Sequence, residues 1–161
     1  MVAHIQKCNK RDKTFYNYIE NHKDMVYQVC FMILGNALIA EKISTSVFQL
    51  AYINLSYEGS TIVQRDWLHK EIICQIFHYF EQEKISMNHP VEINEGNISS
   101  LSNDKLSKEE QLLRNSLLSL PLTDRTFIVL RNICGLSAKE VYVIIDQALK
   151  ERFPIHTNET S

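Results

Sequence analysis

A chain of 161 residues holds one domain of ordinary size or two small ones. Its formal charge of −2 lacks the basic excess that phosphate neutralisation demands of a dedicated nucleic-acid binder, so tight DNA binding is not expected. With 45% hydrophobic and 22% charged residues, the composition is that of a soluble globular protein. Only four Gly and three Pro interrupt it, which favours long helices.

The opening residues, MVAHIQKCNKRDK, are too polar for the apolar core of a signal peptide. Helical periodicity starts at about Lys13 and runs to Leu34, with Phe15, Tyr18, Ile19, Val26, Val29, Cys30 and Ile33 at three- and four-residue steps. Gly35-Asn36 ends that helix as a glycine cap does. The most apolar stretch, Met25 to Ala40, is broken by Gln28, Gly35 and Asn36 and is too short to span a bilayer, so a cytoplasmic protein is expected. A second helix is expected over Ala37 to Tyr52, on a stripe of Ile39, Ile43, Val47, Leu50 and Ala51. Tyr57-Glu58-Gly59-Ser60 reads as a turn. A third helix is expected from Ser60 to Glu83, burying Ile62, Trp67, Leu68, Ile72, Ile73, Ile76, Phe77 and Phe80. Residues 85–106 are rich in Asn, Ser, Glu and Gly, contain Pro90 and are acidic, the pattern of a flexible linker.

The second unit opens with a capping box, Ser107 to Glu110, ahead of Leu112, Leu113, Leu117 and Leu118. Leu120-Pro121 breaks that helix. Thr123 is placed to cap the next, Asp124 to Asn132, with an apolar face of Phe127, Ile128, Leu130 and Ile133. Gly135 closes it. Ser137 and Glu140 form a second capping box, before a helix carrying Val141, Ile144, Ile145 and Leu149. No segment alternates at period two long enough for a strand. The expected fold is all-α, with small helical lobes over 1–84 and 107–161 and a linker over 85–106.

Little points to catalysis. Ser, His and Asp are present, but without a nucleophile elbow, and there is no glycine-rich phosphate loop. His4 and Cys8 have the spacing that begins a zinc motif, but Arg11 stands where its next cysteine would be, and two ligands do not close a structural site. No catalytic residue, metal, cofactor or small-molecule substrate is expected. The four cysteines form no CxxC pair, and Cys30, Cys74 and Cys134 lie among apolar residues, so buried thiols are expected. His22, His69 and His78 read as exposed or half-buried helix residues. Trp67, Phe77, Tyr79 and Phe80 read as core in preference to a platform for melted DNA bases.

The order of helices resembles bacterial RNA polymerase sigma factors of the extracytoplasmic-function (ECF) type. Phe15, Tyr18 and Val26-Tyr27 through Leu34-Gly35-Asn36 look like that family's opening helix. Ala40-Glu41 with Val47-Phe48 and Ala51-Tyr52 looks like its polymerase-binding helix. Trp67-Leu68 looks like the start of the helix facing the promoter's minus-ten element. Leu120-Pro121, Arg125, Leu130, Gly135-Leu136-Ser137 and Glu140 match its carboxy-terminal pattern. The resemblance implies a polymerase- or partner-facing set of Ala40, Glu41, Lys42, Thr45, Ser46 and Phe48. It implies a vestigial DNA-facing set of Arg65, Trp67, Lys70 and His78.

Departures from the family pattern fall on contact positions. Lys42, Thr45 and Ser46 stand where the family carries acidic or amide residues, and Lys42 reverses the charge, which weakens steering and contact. Cys74, His78 and Glu81 replace Asn, Asp and a closing base, and Glu81 would repel phosphate. After Ile144-Ile145 the family has a turn and a basic recognition helix, whereas Asp146 to Phe153 continues the same helix. The expected role is a sigma-like regulator acting through RNA polymerase core, a sigma factor or an anti-sigma factor, as a negative effector with weak or absent DNA binding. The alternatives are a working ECF sigma factor helped by a partner that reads DNA, and a helical adaptor outside transcription.

Overall fold

The computed structural model describes residues 2–57, 65–88 and 107–152, with side chains over 12–54, 67–88 and 107–151. Helices α1 (Val2–Leu34), α2 (Ala37–Tyr57), α3 (Arg65–Gln82), α4 (Lys108–Leu118), α5 (Leu122–Cys134) and α6 (Ala138–Arg152) follow in order, with no strand among the described residues. The all-α expectation holds. Two helices outrun their apolar stripes: α1 begins at Val2, not Lys13, and α2 continues to Tyr57, not Tyr52. Neither extension contains Gly or Pro, so local propensity favours continuing the helix. Positions 58–64, with the start expected for the third helix and Ile62, lie outside the described residues, as do 89–106 of the expected linker.

The corners follow local chemistry. Gly35 adopts φ 70° and its amide donates to the Phe31 carbonyl at 2.8 Å, while Asn36 Oδ1 accepts from the Ile39 amide at 3.1 Å and caps α2. Both capping boxes form: Ser107 and Glu110 exchange bonds of 2.9 and 3.2 Å, and Ser137 and Glu140 exchange bonds of 2.7 and 3.2 Å. Helix α3 ends in a Schellman arrangement, with Ile85 N–H on the Phe80 carbonyl and Lys84 N–H on Glu81, and Lys84 at φ 54° where glycine is usual. The start of α5 differs from expectation. Thr123 lies inside the helix, Pro121 is the N-cap with no side-chain bond, and the Leu122 amide donates instead to Met87 O at 2.8 Å. A carbonyl from the segment after α3 thus does the capping, which local sequence could not show.

The helices share one hydrophobic cluster. Val29 and Ile33 of α1, Val47 of α2, Ile72 and Phe77 of α3, Leu122 and Leu130 of α5, and Val141 and Ala148 of α6 all belong to it. Helix α1 packs on α2, α4 and α5, and α3 packs on α2 and α6, so the two helix groups meet directly as well as through the chain between them. Helix α4 docks through only two of its four leucines. Leu112 and Leu113 are 67% and 62% exposed, while Arg114, Leu117 and Leu118 are buried. The Arg114 guanidinium sits 4.1 Å from the Phe31 ring centre, so a cation–π contact joins α4 to α1.

Gly35 is also a packing point. A Cβ there would fall 2.9 Å from both δ-methyls of Leu118, whereas a Cβ on Gly135, at φ 65°, would meet nothing within 4 Å. Gly135→Ala is expected to cost about 1–2 kcal/mol, from the left-handed backbone alone. Gly35→Ala adds overpacking against α4 and is expected to cost about 2–4 kcal/mol. Urea denaturation of the two variants checks the order.

Candidate functional site

Helix α2 turns its stripe of Ala40, Ile43, Val47 and Ala51 inward. Ala40 is therefore fully buried, and Phe48 is half-buried with its ring edge-on to Tyr18 at 6.4 Å. Of the partner-facing candidates, Glu41, Lys42 and Thr45 are exposed and Ser46 is half-buried. Three successive hydroxyls bond back into the helix: Ser44 to Ala40 O at 2.7 Å, Thr45 to Glu41 O at 2.9 Å and Ser46 to Lys42 O at 3.1 Å. Their protons are committed to the backbone four residues earlier, which softens the helix slightly. What α2 offers a partner is the Glu41 carboxylate beside the Lys42 ammonium.

Helix α3 carries two basic and three acidic residues, a poor balance for following a phosphate backbone. Trp67 is half-buried and packs against the core, as its stripe position implies. His69 corrects the sequence reading: it is 1% exposed. It opens the series 69, 72, 73, 76, 77, 80, a single helical stripe, so its burial was readable from spacing. His78 is half-buried, and its Nδ1 is buried with no hydrogen-bond partner among the described residues. The Arg65 side chain lies outside the described ones.

Lys70 is engaged within the chain. Its Nζ lies 2.9 Å from Glu151 Oε1, on the last turn of α6, and Cys74 Sγ donates to Glu151 Oε2 at 3.3 Å. The contact joins positions 81 residues apart. The hydrogen bond to Glu151 holds the Lys70 ammonium above its ordinary pKa, and the bond from Lys70 holds the Glu151 carboxyl below its own. Glu151's contribution to stability is therefore present above the ordinary carboxylate range and lost as pH falls through its lowered value. Lys70's is present below the ordinary lysine range and lost as pH rises through its raised value. Burial, and then Glu151, push the Cys74 thiol up to about 12. It is uncharged at physiological pH and a weak nucleophile. Cys30, Cys74 and Cys134 are all buried thiols, as expected.

Helix α6 is continuous from Ala138 to Arg152. Val141, Ile144, Ile145 and Ala148 are buried at helical spacing, so one apolar stripe runs through the place where the sigma pattern has a turn. Its near end forms an open groove of about 510 Å³ with α5, lined by Leu120, Thr123, Asp124, Phe127, Ile128, Tyr142 and Ile145. Tyr142 is 64% exposed and its ring lies 5.0 Å from that of Phe127. Among the described residues no helix is long and apolar enough to cross a membrane, and no three His, Cys, Asp or Glu side chains gather to hold a metal ion.

No protein-family model matches the chain. Against curated proteins it is 26% identical over 155 residues to the ECF RNA polymerase sigma factor SigW of Bacillus subtilis (strain 168), an alignment covering 88% of this chain and 83% of that protein. The helix order, the glycine corners and this likeness converge: the chain resembles the ECF sigma factors over most of its length, and the likeness supports a sigma-factor-like role.

Proposed function

We propose that this protein is a sigma-like regulator of transcription that works through protein contacts in the cytoplasm, as a negative effector of an ECF-type sigma factor system, and that it is not an enzyme. The observation that carries the proposal is the unbroken course of α6 to Arg152, with its far end paired to α3. Reading base edges in the major groove requires a second helix docked beyond the first. Residues 146–152, where the sigma pattern turns toward that helix, instead extend α6 along α3.

The α2 surface supports the same reading. Glu41, Lys42, Thr45, Ser46 and the half-buried Phe48 are the proposed partner face, and Ala40, buried in the core, supports it from behind. Lys42 changes its charge pattern, and the back-bonded hydroxyls reduce what it can donate. Arg65, Trp67, Lys70 and His78 are the proposed remnant of a DNA face, on a helix whose charges no longer favour phosphate. A protein that keeps the sigma frame with altered contacts is suited to occupy RNA polymerase core or a sigma factor unproductively. The tagged protein is expected to co-purify with polymerase or an ECF sigma factor from its own cells and to bind that partner again when purified. Recovery of neither would overturn the proposal.

A further inference from the structure

We propose that the last turn of α6 forms a displaceable cover over α3, held shut at Lys70 and Cys74 by Glu151. The cover is a property of the chain itself and stands or falls independently of which partner the protein binds. Its geometry is asymmetric. The near part of α6 is anchored by the fully buried Val141 and by Ile144 and Ile145, continuous with α5. Beyond Ala148, which is also fully buried, Leu149 is half-buried against the core, and the other described contacts of the far end are polar: the Lys70–Glu151 pair, the Cys74–Glu151 bond, and the exposed Asp146–Lys150 pair within α6. Half-exposed ion pairs of this kind hold weakly, so the end of α6 opens far more easily than the core. Glu151 also sits on a helix's last turn, where a carboxylate is disfavoured by the backbone dipole. Its place is kept by the cation on α3. Opening bares one face of α3, including a thiol that is 6% exposed when the cover is shut.

Cys74 reports the opening. Its alkylation rate in the folded full-length protein, read for each cysteine by peptide mass spectrometry, follows the open population. Lys70→Glu places like charges together and is expected to speed Cys74 modification about tenfold, the change that about 1.4 kcal/mol brings. Electrostatics on a static structure run the other way: Lys70 lowers the Cys74 pKa, so replacing it with a carboxylate makes the thiol less reactive unless the cover moves. The double variant Lys70→Glu, Glu151→Lys restores an opposite-charge pair and is expected to return the rate to within about twofold of the parent. Cys30 and Cys134, buried elsewhere, keep their rates. The proposal is overturned if Lys70→Glu leaves Cys74 unchanged or slower, if the reversed pair fails to restore protection, or if all three thiols accelerate together, since α6 would then not move apart from the core.

Discussion

Arg125→Ala is expected to lower folding stability by about 3–5 kcal/mol, whereas Arg125→Met is expected to raise it by about 1–3 kcal/mol. Arg125 is the largest fully buried side chain in the protein's described core. Its Nη1 donates to the Leu118 carbonyl at 3.4 Å, a long bond, and its Nε and Nη2 have no partner among the described residues. Burial holds the guanidinium pKa below its ordinary value, the direction expected when a cation is desolvated without a carboxylate beside it. Alanine removes both the charge and a side chain's worth of packing, and the cavity dominates. Methionine fills nearly the same volume without the unpaired donors, so the desolvation cost is removed and the packing kept. Urea denaturation with an unchanged m-value measures both. If methionine destabilises as alanine does, the guanidinium is a satisfied structural group and its burial needs another account.

The second large effect concerns the altered contact positions. When lysine replaces the acidic residue that follows Ala-Glu in a working ECF sigma factor, the place Lys42 holds here, binding to polymerase core is expected to weaken by about 2–5 kcal/mol, or about thirtyfold at the least. Glutamate at the place of Glu81 is expected to weaken promoter binding and flatten its salt dependence by one phosphate contact. Core affinity and promoter affinity at several salt concentrations give the two readouts. Unchanged affinities would mean that Lys42 and Glu81 stand at positions without contact roles. The proposed loss of sigma contacts would then rest on α6 alone.

Features set by a few adjacent residues were legible in the sequence. The glycine corners at Gly35 and Gly135 and both serine–glutamate capping boxes form where spacing and side-chain chemistry put them. Buried stripes were legible where branched and aromatic residues dominate, as in α3. His69 was misread because its type outweighed its position on that stripe. The orientation of α4 was not legible: with Arg114 over the Phe31 ring, Leu117 and Leu118 are buried while Leu112 and Leu113 are exposed. The cap of α5 by Met87 and the Lys70–Glu151 pair join residues distant in sequence, and no local pattern encodes such pairings. The candidate α2 face was legible as a face, but the back-bonding of Thr45 and Ser46 appears only once α2 is built.

Transcription in a purified system tests the central claim most directly. Polymerase core, a working ECF sigma factor from the same cells and its promoter are combined with increasing amounts of this protein. Transcript is expected to fall as the protein is added, and none is expected from core with this protein alone. Promoter-dependent transcript from core and this protein alone would contradict the account, because it would show a chain that still reads DNA.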